Sequence, residues 1–215
     1  MIHSLSKLGT FESCAAKYKF QYLDLIPRTF KSAAASRGVD MHKTMEDYTL
    51  GNLPELPSYL SHYQGFLDGI KGIPGMEPEA KLAFTVDWEH AAWEDENIWW
   101  RGVLDLLVPP QNGTVHVYDW KTGKIYDNHE DQRQIYAIAA SIRYPDAHQV
   151  SCTHVYLDLH KNRDQTYHRD QLVGYRERWG RRFRAVETAT DFPYNPSFSC
   201  RWCSFSKING GPCPF

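Results

Sequence analysis

Two β-prone runs, each with an acidic residue among apolar neighbours, place the strongest constraint on this 215-residue chain. They read RGVLDLLV, which contains Asp105, and VHVYDWKTG, which contains Asp119 and Lys121, and the turn sequence PPQNG joins them. Alternation along a strand places Asp119 and Lys121 on one face and Trp120 on the other. A hairpin here would bring Asp105 beside Asp119, so that two carboxylates and an ammonium group share one pocket.

Two close carboxylates repel each other unless a cation lies between them, and hard divalent ions such as Mg²⁺ prefer oxygen ligands of this kind. The pattern therefore predicts a metal site at Asp105 and Asp119. Glu79 precedes the neighbouring strand and could add a third carboxylate. The alternative is that both aspartates are solvent-facing strand-end residues, that TGK is a simple turn, and that Glu79 belongs to a solvated face.

The surrounding sequence predicts helices on both sides of these strands. Helices are predicted at about 4–25, 33–50, 59–70, 132–144 and 170–189, and strands at about 81–88, 98–108, 114–121 and 150–159. The first three strands form an antiparallel meander, and the last is expected to be central. We find no repeat or linker, so one α/β domain is predicted. It comprises a helical part (1–75), a core (76–190) and a cysteine tail (191–215).

Composition limits the class of protein and its partners. Apolar residues make up 42% of the chain, which excludes a disordered protein. No apolar stretch approaches the roughly 18 residues of a membrane helix, and the N-terminus lacks a signal-peptide pattern, so we expect a cytoplasmic protein without a membrane partner. The 24 Lys and Arg against 26 Asp and Glu give no global attraction to nucleic acid. A polyanion would have to be met by a local basic patch.

Taken in order, these motifs resemble those of the PD-(D/E)XK nucleases, and specifically their RecB-like branch. The resemblance covers nearly the whole chain. Each motif alone has low specificity, whereas their order and spacing together are more specific. The matching positions are Ser4, Ser6, Leu8 and Cys14 of a Ser-x-Ser-x-Leu helix, Gly38 and His42 of Gly-x-x-x-His, Glu79 ahead of a strand, Gly102 and Asp105 of Gly-x-x-Asp, Asp119, Lys121, Thr122 and Gly123 of Asp-x-Lys-Thr-Gly, and Gln132 and Tyr136 of Gln-x-x-x-Tyr.

The resemblance implies a restriction-endonuclease-like core, in which helices flank a central mixed sheet, with an N-terminal helical part and a C-terminal cysteine tail. It also implies hydrolysis of DNA phosphodiesters with Mg²⁺ or Mn²⁺. Asp105 and Asp119 would be the principal metal ligands. His42 and the Trp120 carbonyl would complete the shell, although a lone histidine in a helix is usually a surface or core residue.

The resemblance also assigns roles around the metal. Lys121 would position or help to deprotonate the attacking water and stabilise charge that develops on the phosphate. Gln132 and Tyr136 lie one helical turn apart, so both would face the site and contact the substrate or orient Lys121. Glu79 would complete the catalytic set as the carboxylate that opens the preceding strand.

The five cysteines do not predict a disulfide framework, because their number is odd and no export signal is present. Cys200, Cys203 and Cys213 crowd into the last sixteen residues, and such spacing serves either zinc or an iron–sulfur cluster. Some RecB-like nucleases join one N-terminal cysteine to three C-terminal ones around a 4Fe–4S cluster, and Cys14 would be the fourth ligand. The nine residues between Cys203 and Cys213 exceed that family's usual spacing. Cys152 is expected to be a small core residue.

Two sets of side chains are candidates for DNA contact. The predicted helix at 170–189 carries arginines that form either a solvated face or a phosphate-tracking patch. The arginine candidates are Arg176, Arg181, Arg182 and Arg184. Three tryptophans either stack on unpaired bases, as in single-strand binders, or belong to the core and the sheet. They are Trp93, Trp99 and Trp100.

The sequence therefore predicts a DNA exonuclease that acts on ends of single-stranded or frayed DNA during bacterial or phage recombination, repair or processing. The expected setting is the cytoplasm of a bacterial or phage-infected cell, with an oligomer or a recombination protein as a further partner. The rival hypothesis is a catalytically silent DNA-binding or partner module of a recombination or CRISPR adaptation complex. A second rival is a metal-stapled interaction domain, in which the cysteine tail is the functional part.

Overall fold

The central feature of the fold is a mixed β-sheet. A computed structural model describes residues 1–28, 33–126 and 129–215, without the side chains of 33–35. Within these residues six strands pair in the order β2-β1-β3-β4-β5-β6. Their bounds are β1 Glu77–Phe84, β2 His90–Ala91, β3 Trp100–Gln111, β4 Thr114–Lys121, β5 Gln149–Tyr156 and β6 Lys161–His168.

The hairpin of β3 and β4 turns at Asn112 and Gly113. Both residues have positive φ, 49° and 79°, as the tight two-residue turns of hairpins require, and asparagine with glycine tolerates these angles best. Gln111 and Thr114 pair across the turn. β1, β3 and β4 pair antiparallel, so the predicted meander is confirmed.

β4 and β5 run parallel, because the helix α5 (His129–Arg143) connects them as a crossover. β5 lies inside the sheet as predicted, but one position from its edge, because β6 continues the sheet beyond it. The prediction missed β6 and the two-residue β2. β6 reads KNRDQTYH, and only Tyr167 of it is buried. A strand that is polar on both faces shows no apolar alternation, so periodicity could not find it.

The helices lie largely where periodicity predicts them, although the first is broken. Residues 4–25 form three consecutive pieces, α1 (Leu5–Ser13), α2 (Ala15–Tyr18) and a π-helical segment (Lys19–Leu23). The others are α3 (Ala33–Thr49), α4 (Gln64–Lys71) preceded by a short 3₁₀-helix (Ser61–Tyr63), and α6 (Arg169–Glu187). The tail contains 3₁₀-helices at Phe198–Trp202 and Lys207–Asn209. No helix among the described residues is long and apolar enough to cross a membrane.

The chain divides into two compact units. The terminal unit comprises Met1, residues 3–37 and residues 180–215, and it therefore contains both ends of the chain. The central unit comprises Ile2 and residues 38–179, and it contains the whole sheet. The sequence-based division into 1–75, 76–190 and 191–215 stays a prediction.

The core of the central unit fixes which face of the sheet carries polar groups. Trp120 and Leu106 are buried in an apolar cluster with residues of α3 and α4, such as Met45 and Leu67. Since neighbours on a strand point to opposite faces, Asp119 and Lys121 point to the other face, where α5 packs on β1, β4 and β5. The acidic and basic groups of β4 thus lie beneath α5.

Candidate functional site

The centre of the candidate site is an ion pair between two residues of β4. Asp119 is only 4% exposed, and its carboxylate forms an ion pair with the Lys121 ammonium group. Gln132, from α5, connects them, because its amide nitrogen donates to Asp119 Oδ1 at 2.8 Å and its oxygen accepts from Lys121 Nζ at 2.5 Å. One α5 side chain therefore sets the orientation of both charged groups.

A tyrosine one turn further along α5 anchors this arrangement. Gln132 also donates to the Tyr136 hydroxyl at 3.0 Å, and that hydroxyl donates to the Val103 carbonyl of β3 at 3.1 Å. Burial and the nearby Asp119 raise the pKa of Tyr136 far above its ordinary value, so the hydroxyl stays protonated and can act as a donor. The structure thus brings together four of the predicted residues, Asp119, Lys121, Gln132 and Tyr136.

Asp105 lies beside this group on β3. Leu106 pairs with Tyr118, so Asp105 and Asp119 are neighbours on adjacent strands. Asp105 Oδ2 accepts the backbone N–H of Trp120 at 2.6 Å, and Asp105 Oδ1 lies 3.2 Å from Nδ1 of His42, which α3 supplies. Burial opposes a charge on His42, but the hydrogen bond and the charge of Asp105 outweigh burial and raise the pKa of the imidazole.

Glu79 reaches the same cluster through an unusual backbone conformation. Its φ is +50°, a left-handed conformation that is unfavourable for a residue with a Cβ. Pro78 pairs with Leu106 and Ala80 with Leu104, which places Glu79 across from Asp105. Burial raises the pKa of Glu79, and the charge of Asp105 adds to the effect. Strained conformations of this kind are concentrated at functional sites.

The Asp119 carboxylate is the most perturbed acid of the site. Burial raises its pKa to about 6, because the opposing attraction of Lys121 only partly compensates and Asp105 repels the charge. Its Oδ2 atom is buried and accepts no hydrogen bond of good geometry within the described residues, despite the ion pair with Lys121. A buried carboxylate oxygen in this state is a natural position for a cation.

The donor set fits a hard divalent cation in its chemistry, since it combines carboxylate oxygens with one imidazole. In the present arrangement, no three His, Cys, Asp or Glu side chains of the described residues are grouped closely enough to hold a metal ion. Asp119 is held by Lys121 and Gln132, and Asp105 is held by His42 and Trp120. The observation that favours a cation here is the buried Asp119 carboxylate beside Asp105, whose charge Lys121 compensates only in part.

One glycine of the sequence motifs has a steric explanation. A Cβ on Gly102 would lie 2.5 Å from the Trp100 indole, so this position of β3 has no room for a side chain. A Cβ on Gly38 would lie 3.4 Å from the Thr122 hydroxyl, which is ordinary contact. Gly102 therefore lets β3 carry Asp105 past the buried Trp100 ring.

Sequence reasoning missed His154, which pairs with Asp119 in the register of β4 and β5 and is only 1% exposed. Its Nδ1 lies 3.3 Å from Nη1 of Arg133, and its Nε2 lies 3.9 Å from Asp119 Oδ2. Burial lowers the pKa of His154 far below its ordinary value, and Lys121 and Arg133 lower it further. The available signal was a histidine inside the apolar run VSCTHVYL.

The predicted DNA-contact arginines are divided between the two units. Arg176 is half-buried and lies in the central unit, while Arg181, Arg182 and Arg184 lie in the terminal unit. Arg182 makes a bidentate ion pair with Glu12, with both distances 2.7 Å.

Two of the three candidate tryptophans belong to the core. Trp99 and Trp100 are buried, so the hypothesis that they stack on bases is wrong. Trp93 is half-buried and lies 4.9 Å from the guanidinium carbon of Arg101.

The terminal unit contains a second candidate site, a cavity of about 110 Å³. All four predicted ligand cysteines line it, and all four are free thiols that are half-buried. Phe20 and Phe205 provide apolar walls. The remaining cysteine, Cys152, is buried in β5, as the sequence predicts. We call this space the cysteine cavity; its lining thiols are Cys14, Cys200, Cys203 and Cys213.

The tail folds back so that its long cysteine spacing still reaches the cysteine cavity. The chain turns at Gly210, which has φ of +77°, and a Cβ on Gly211 would lie 2.2 Å from the Phe205 backbone. Cys213 then donates its backbone N–H to the Phe205 carbonyl at 2.8 Å. The extra residues between Cys203 and Cys213 therefore form a compact loop rather than separating Cys213 from the other thiols.

A mixed sheet flanked by helices, with two aspartates and a lysine on adjacent strands, defines an α/β protein of the restriction-endonuclease type. The chain belongs to the PD-(D/E)XK nuclease superfamily, whose family model matches residues 3–208. The predicted fold class is thereby confirmed, and family membership supports a nuclease. No curated protein matches the chain.

Solved structures agree on the fold. The protein SSO0001 is 16% identical, with a TM-score of 0.56 over 99% of this chain and 85% of the other. A candidate exonuclease from Eubacterium rectale is 14% identical, with a TM-score of 0.51 over 93% of this chain and 86% of the other. At these identities the similarity is one of fold.

Proposed function

We propose that the protein is a metal-dependent DNA exonuclease of the RecB-like branch that acts on single-stranded or frayed ends. The observation that carries the proposal is the buried Asp119 carboxylate, which lies beside Asp105 and whose charge the ion pair with Lys121 compensates only in part. A carboxylate buried at this cost, next to a second one, is typical of a functional rather than a structural site. The fold similarity to a candidate exonuclease supports the same choice.

Mg²⁺ or Mn²⁺ would be held by Asp105, Asp119 and His42, with the Trp120 carbonyl as a further ligand and Glu79 as a third carboxylate. Such a cation, when bound, polarises a phosphoryl oxygen and lowers the pKa of a bound water. The hydrogen bond between Asp105 and His42 orients the imidazole, since a ring nitrogen bonded to a carboxylate leaves the other nitrogen free to bind.

The remaining residues position the lysine and the substrate. The Lys121 ammonium group, held between Asp119 and Gln132, would orient the attacking water and stabilise the negative charge that develops on the phosphate. Tyr136 holds Gln132 in place through the Val103 carbonyl, which restricts the motion of this network. Because fixed donors lose little free energy through reorganisation, this restriction favours the transition state.

The test is degradation of DNA labelled at either end, single- and double-stranded, with Mg²⁺, Mn²⁺ or a chelator. Lys121→Ala is expected to lower the rate by about a hundredfold to a thousandfold, because it removes one preorganised donor. Lys124→Ala is the matched control, since Lys124 is exposed and lies outside the network. The order of label loss reports polarity. No cleavage by folded wild-type protein would instead favour a DNA-binding or partner module.

For the cysteine cavity we propose a 4Fe–4S cluster. The support is that all four thiols line one cavity, and that the tail folds back to bring Cys213 there despite its long spacing. A single zinc ion is the alternative ligand of such thiols. Iron and sulfide analysis of anaerobically purified protein should give about four of each per chain. Absence of both, or one zinc per chain, contradicts the cluster.

Arg176, Arg181, Arg182 and Arg184 remain proposed DNA contacts, of which Arg182 would have to leave Glu12 to bind a phosphate. Recombination, repair or DNA processing in a bacterial or phage-infected cytoplasm, with an oligomer or a protein partner, is the setting we propose. Replacing each arginine by glutamine and measuring the salt dependence of DNA binding tests the contacts. Each true phosphate contact lowers the slope of log K against log salt by about 0.7 to 0.9.

A further inference from the structure

The two units differ sharply in formal charge. The terminal unit has 11 Lys and Arg against four Asp and Glu, a formal charge of +7. The central unit has 13 Lys and Arg against 22 Asp and Glu, a formal charge of −9. The net charge of the whole chain is therefore near zero although the terminal unit is basic. A polyanion is attracted to the terminal unit rather than to the chain as a whole.

This basic unit exposes a cluster of stacking groups on the 3₁₀-helix of its tail. Phe198 is 67% exposed and Trp202 is 55% exposed. Their ring centroids lie 5.1 Å apart at an interplanar angle of 72°. The guanidinium of Arg201 lies 3.6 Å from the Phe198 ring centroid and 5.2 Å from that of Trp202. We call these three residues the aromatic cluster.

Exposed aromatic rings beside an arginine, on a positively charged surface, are the combination with which proteins bind unpaired bases. We propose that the aromatic cluster is a stacking site for single-stranded DNA. Paired bases inside a duplex already stack on each other, so only a terminal pair offers a free ring face to Phe198 and Trp202. The proposal deepens the proposed nuclease function, on which it rests for the choice of DNA as the polymer.

Binding without cleavage tests this site. Fluorescence anisotropy of a labelled oligothymidylate and of a blunt duplex is measured with chelator present. The Phe198→Ala, Trp202→Ala double variant should bind the single strand about tenfold more weakly or worse, because each stacked base contributes substantially, and bind the duplex within about twofold of wild type. Tyr59→Ala is the matched control, since Tyr59 is 58% exposed but lies in the acidic central unit.

Two further variants separate stacking from folding and charge. Trp202→Phe should restore most of the single-strand affinity that Trp202→Ala loses, and Arg201→Gln should lower the salt slope by about 0.7 if Arg201 also contacts a phosphate. Unchanged single-strand affinity in the double variant, an equal loss for duplex, or an equal loss in Tyr59→Ala overturns the proposal. If wild type cleaves DNA but binding does not depend on the aromatic cluster, the nuclease function stands and the stacking site does not. If binding depends on the aromatic cluster but wild type cleaves no DNA, the stacking site stands and the nuclease function does not.

A separate observation concerns His154 in the central unit. Arginine can only donate, so the contact between Arg133 Nη1 and His154 Nδ1 makes Nδ1 the acceptor. The proton of the neutral ring is then on Nε2, which lies 3.9 Å from Asp119 Oδ2. Both atoms are buried; Nε2 has no hydrogen-bond partner among the described residues, whereas Oδ2 has the Lys121 ammonium group as its ion-pair partner. A buried donor without an acceptor thus lies beside the Asp119 carboxylate at the centre of the site.

We infer that His154 is a positioning residue, whose Nε2–H attracts the Asp119 carboxylate across 3.9 Å and favours the orientation that binds a cation. Arg133 acts through His154, because it selects the tautomer that can donate. Outer partners of this kind orient metal-binding carboxylates, and their loss typically weakens metal affinity about tenfold to a hundredfold. The inference rests on the proposed metal-dependent reaction for its functional effect, but not for the tautomer.

Two measurements test His154. Ring ¹⁵N chemical shifts report the tautomer directly, and Nε2–H is expected in wild type but a mixture in Arg133→Met. Manganese titration without substrate should show about tenfold weaker binding in His154→Leu, with recovery in His154→Gln, whose amide nitrogen takes the place of Nε2. The half-activating Mg²⁺ concentration should rise in parallel, while KM for DNA at saturating Mg²⁺ stays unchanged.

The outcomes for His154 are distinct from those for the nuclease. An Nδ1–H tautomer in wild type, or equal manganese affinity in His154→Leu and wild type, overturns the positioning role. Failure of His154→Gln to bind manganese better than His154→Leu, with both folded, overturns it as well. Manganese binding that depends on His154 in a protein that cleaves no DNA supports the positioning role and removes the nuclease function.

Discussion

The two candidate sites are held together in different ways. In the central unit, Asp119 and Lys121 of β4 and Gln132 of α5 hold one another through hydrogen bonds and an ion pair. In the terminal unit, four thiols line a cavity with aromatic walls, and the Ser197 backbone N–H donates to the Cys200 sulfur at 3.3 Å. The first site is held by contacts among its own side chains, whereas the second is a cavity for which we propose a ligand.

Loss of a cavity thiol should have the largest effect on stability. Cys200→Ser is expected to lower the free energy of opening of the terminal unit by about 3 kcal/mol, by analogy with loss of a crosslink that closes a long loop. Hydrogen exchange should rise in 3–37 and 180–215 while the strands stay protected. Ser199→Ala is the control. If Cys200→Ser changes hydrogen exchange equally in both units, the thiols do not stabilise the terminal unit selectively, and the contrast between the two sites is wrong.

Overpacking beside Asp105 should have the next largest effect. Gly102→Ala is expected to destabilise the protein by about 1–3 kcal/mol, because its Cβ would collide with Trp100. Gly65→Ala in α4 has open space at the Cβ and should instead stabilise by about 0.5–1 kcal/mol. Urea unfolding measures both. If Gly102→Ala leaves the free energy of unfolding unchanged, close packing against Trp100 does not hold β3 in place at the central site.

Substitutions of Glu79, whose backbone is in the left-handed conformation, should change stability less than the two changes above. Glu79→Gly should be more stable than Glu79→Ala by about 1–2 kcal/mol, because glycine removes the cost of a positive φ and alanine does not. Both variants lack the carboxylate, so both should lose activity equally. Thermal unfolding together with cleavage assays separates the two effects. Different activities in the two variants would show that the backbone, rather than the carboxylate, matters.

The pH profile should show the mildest change. Activity should fall about tenfold per pH unit below pH 6, because the pKa of Asp119 is raised to about 6 and the proton competes with the cation. More Mg²⁺ should move this limb to lower pH. Since the pKa is raised in the folded state, the stabilisation by this group is present below about pH 4 and is lost as pH rises through 6. If the fall in activity at low pH does not shift with Mg²⁺ concentration, Asp119 does not bind the cation.

Local patterns account for what the sequence predicted of the fold. The hairpin of β3 and β4 follows from alternation and from an Asn-Gly turn, both of which are contained within adjacent residues. β6 was missed because its residues are exposed on both faces, so no apolar periodicity marks it. The break of the first helix into α1, α2 and a π-helical segment also escaped, because apolar spacing continues across it.

The site required information that is not local. Motif order pointed to His42, and its place beside a predicted strand pointed to Glu79; the approach of both to Asp105 depends on α3 and on the pairing of β1 with β3. His154 escaped because the parallel register of β4 and β5 is set through a crossover helix and leaves no trace in either strand. The catalytic and ligand roles stay predictions, which the experiments above test.

The terminal unit is built from both ends of the chain, with the central unit inserted between them. A cluster bound by Cys14 and Cys200 would close a loop that contains residues 15–199. Closing so long a loop removes many conformations from the unfolded chain, which corresponds to about 5 kcal/mol in the loop-entropy model. Oxidative loss of the cluster would then act on the unfolded ensemble, and refolding of the whole chain would slow even if the sheet were unchanged.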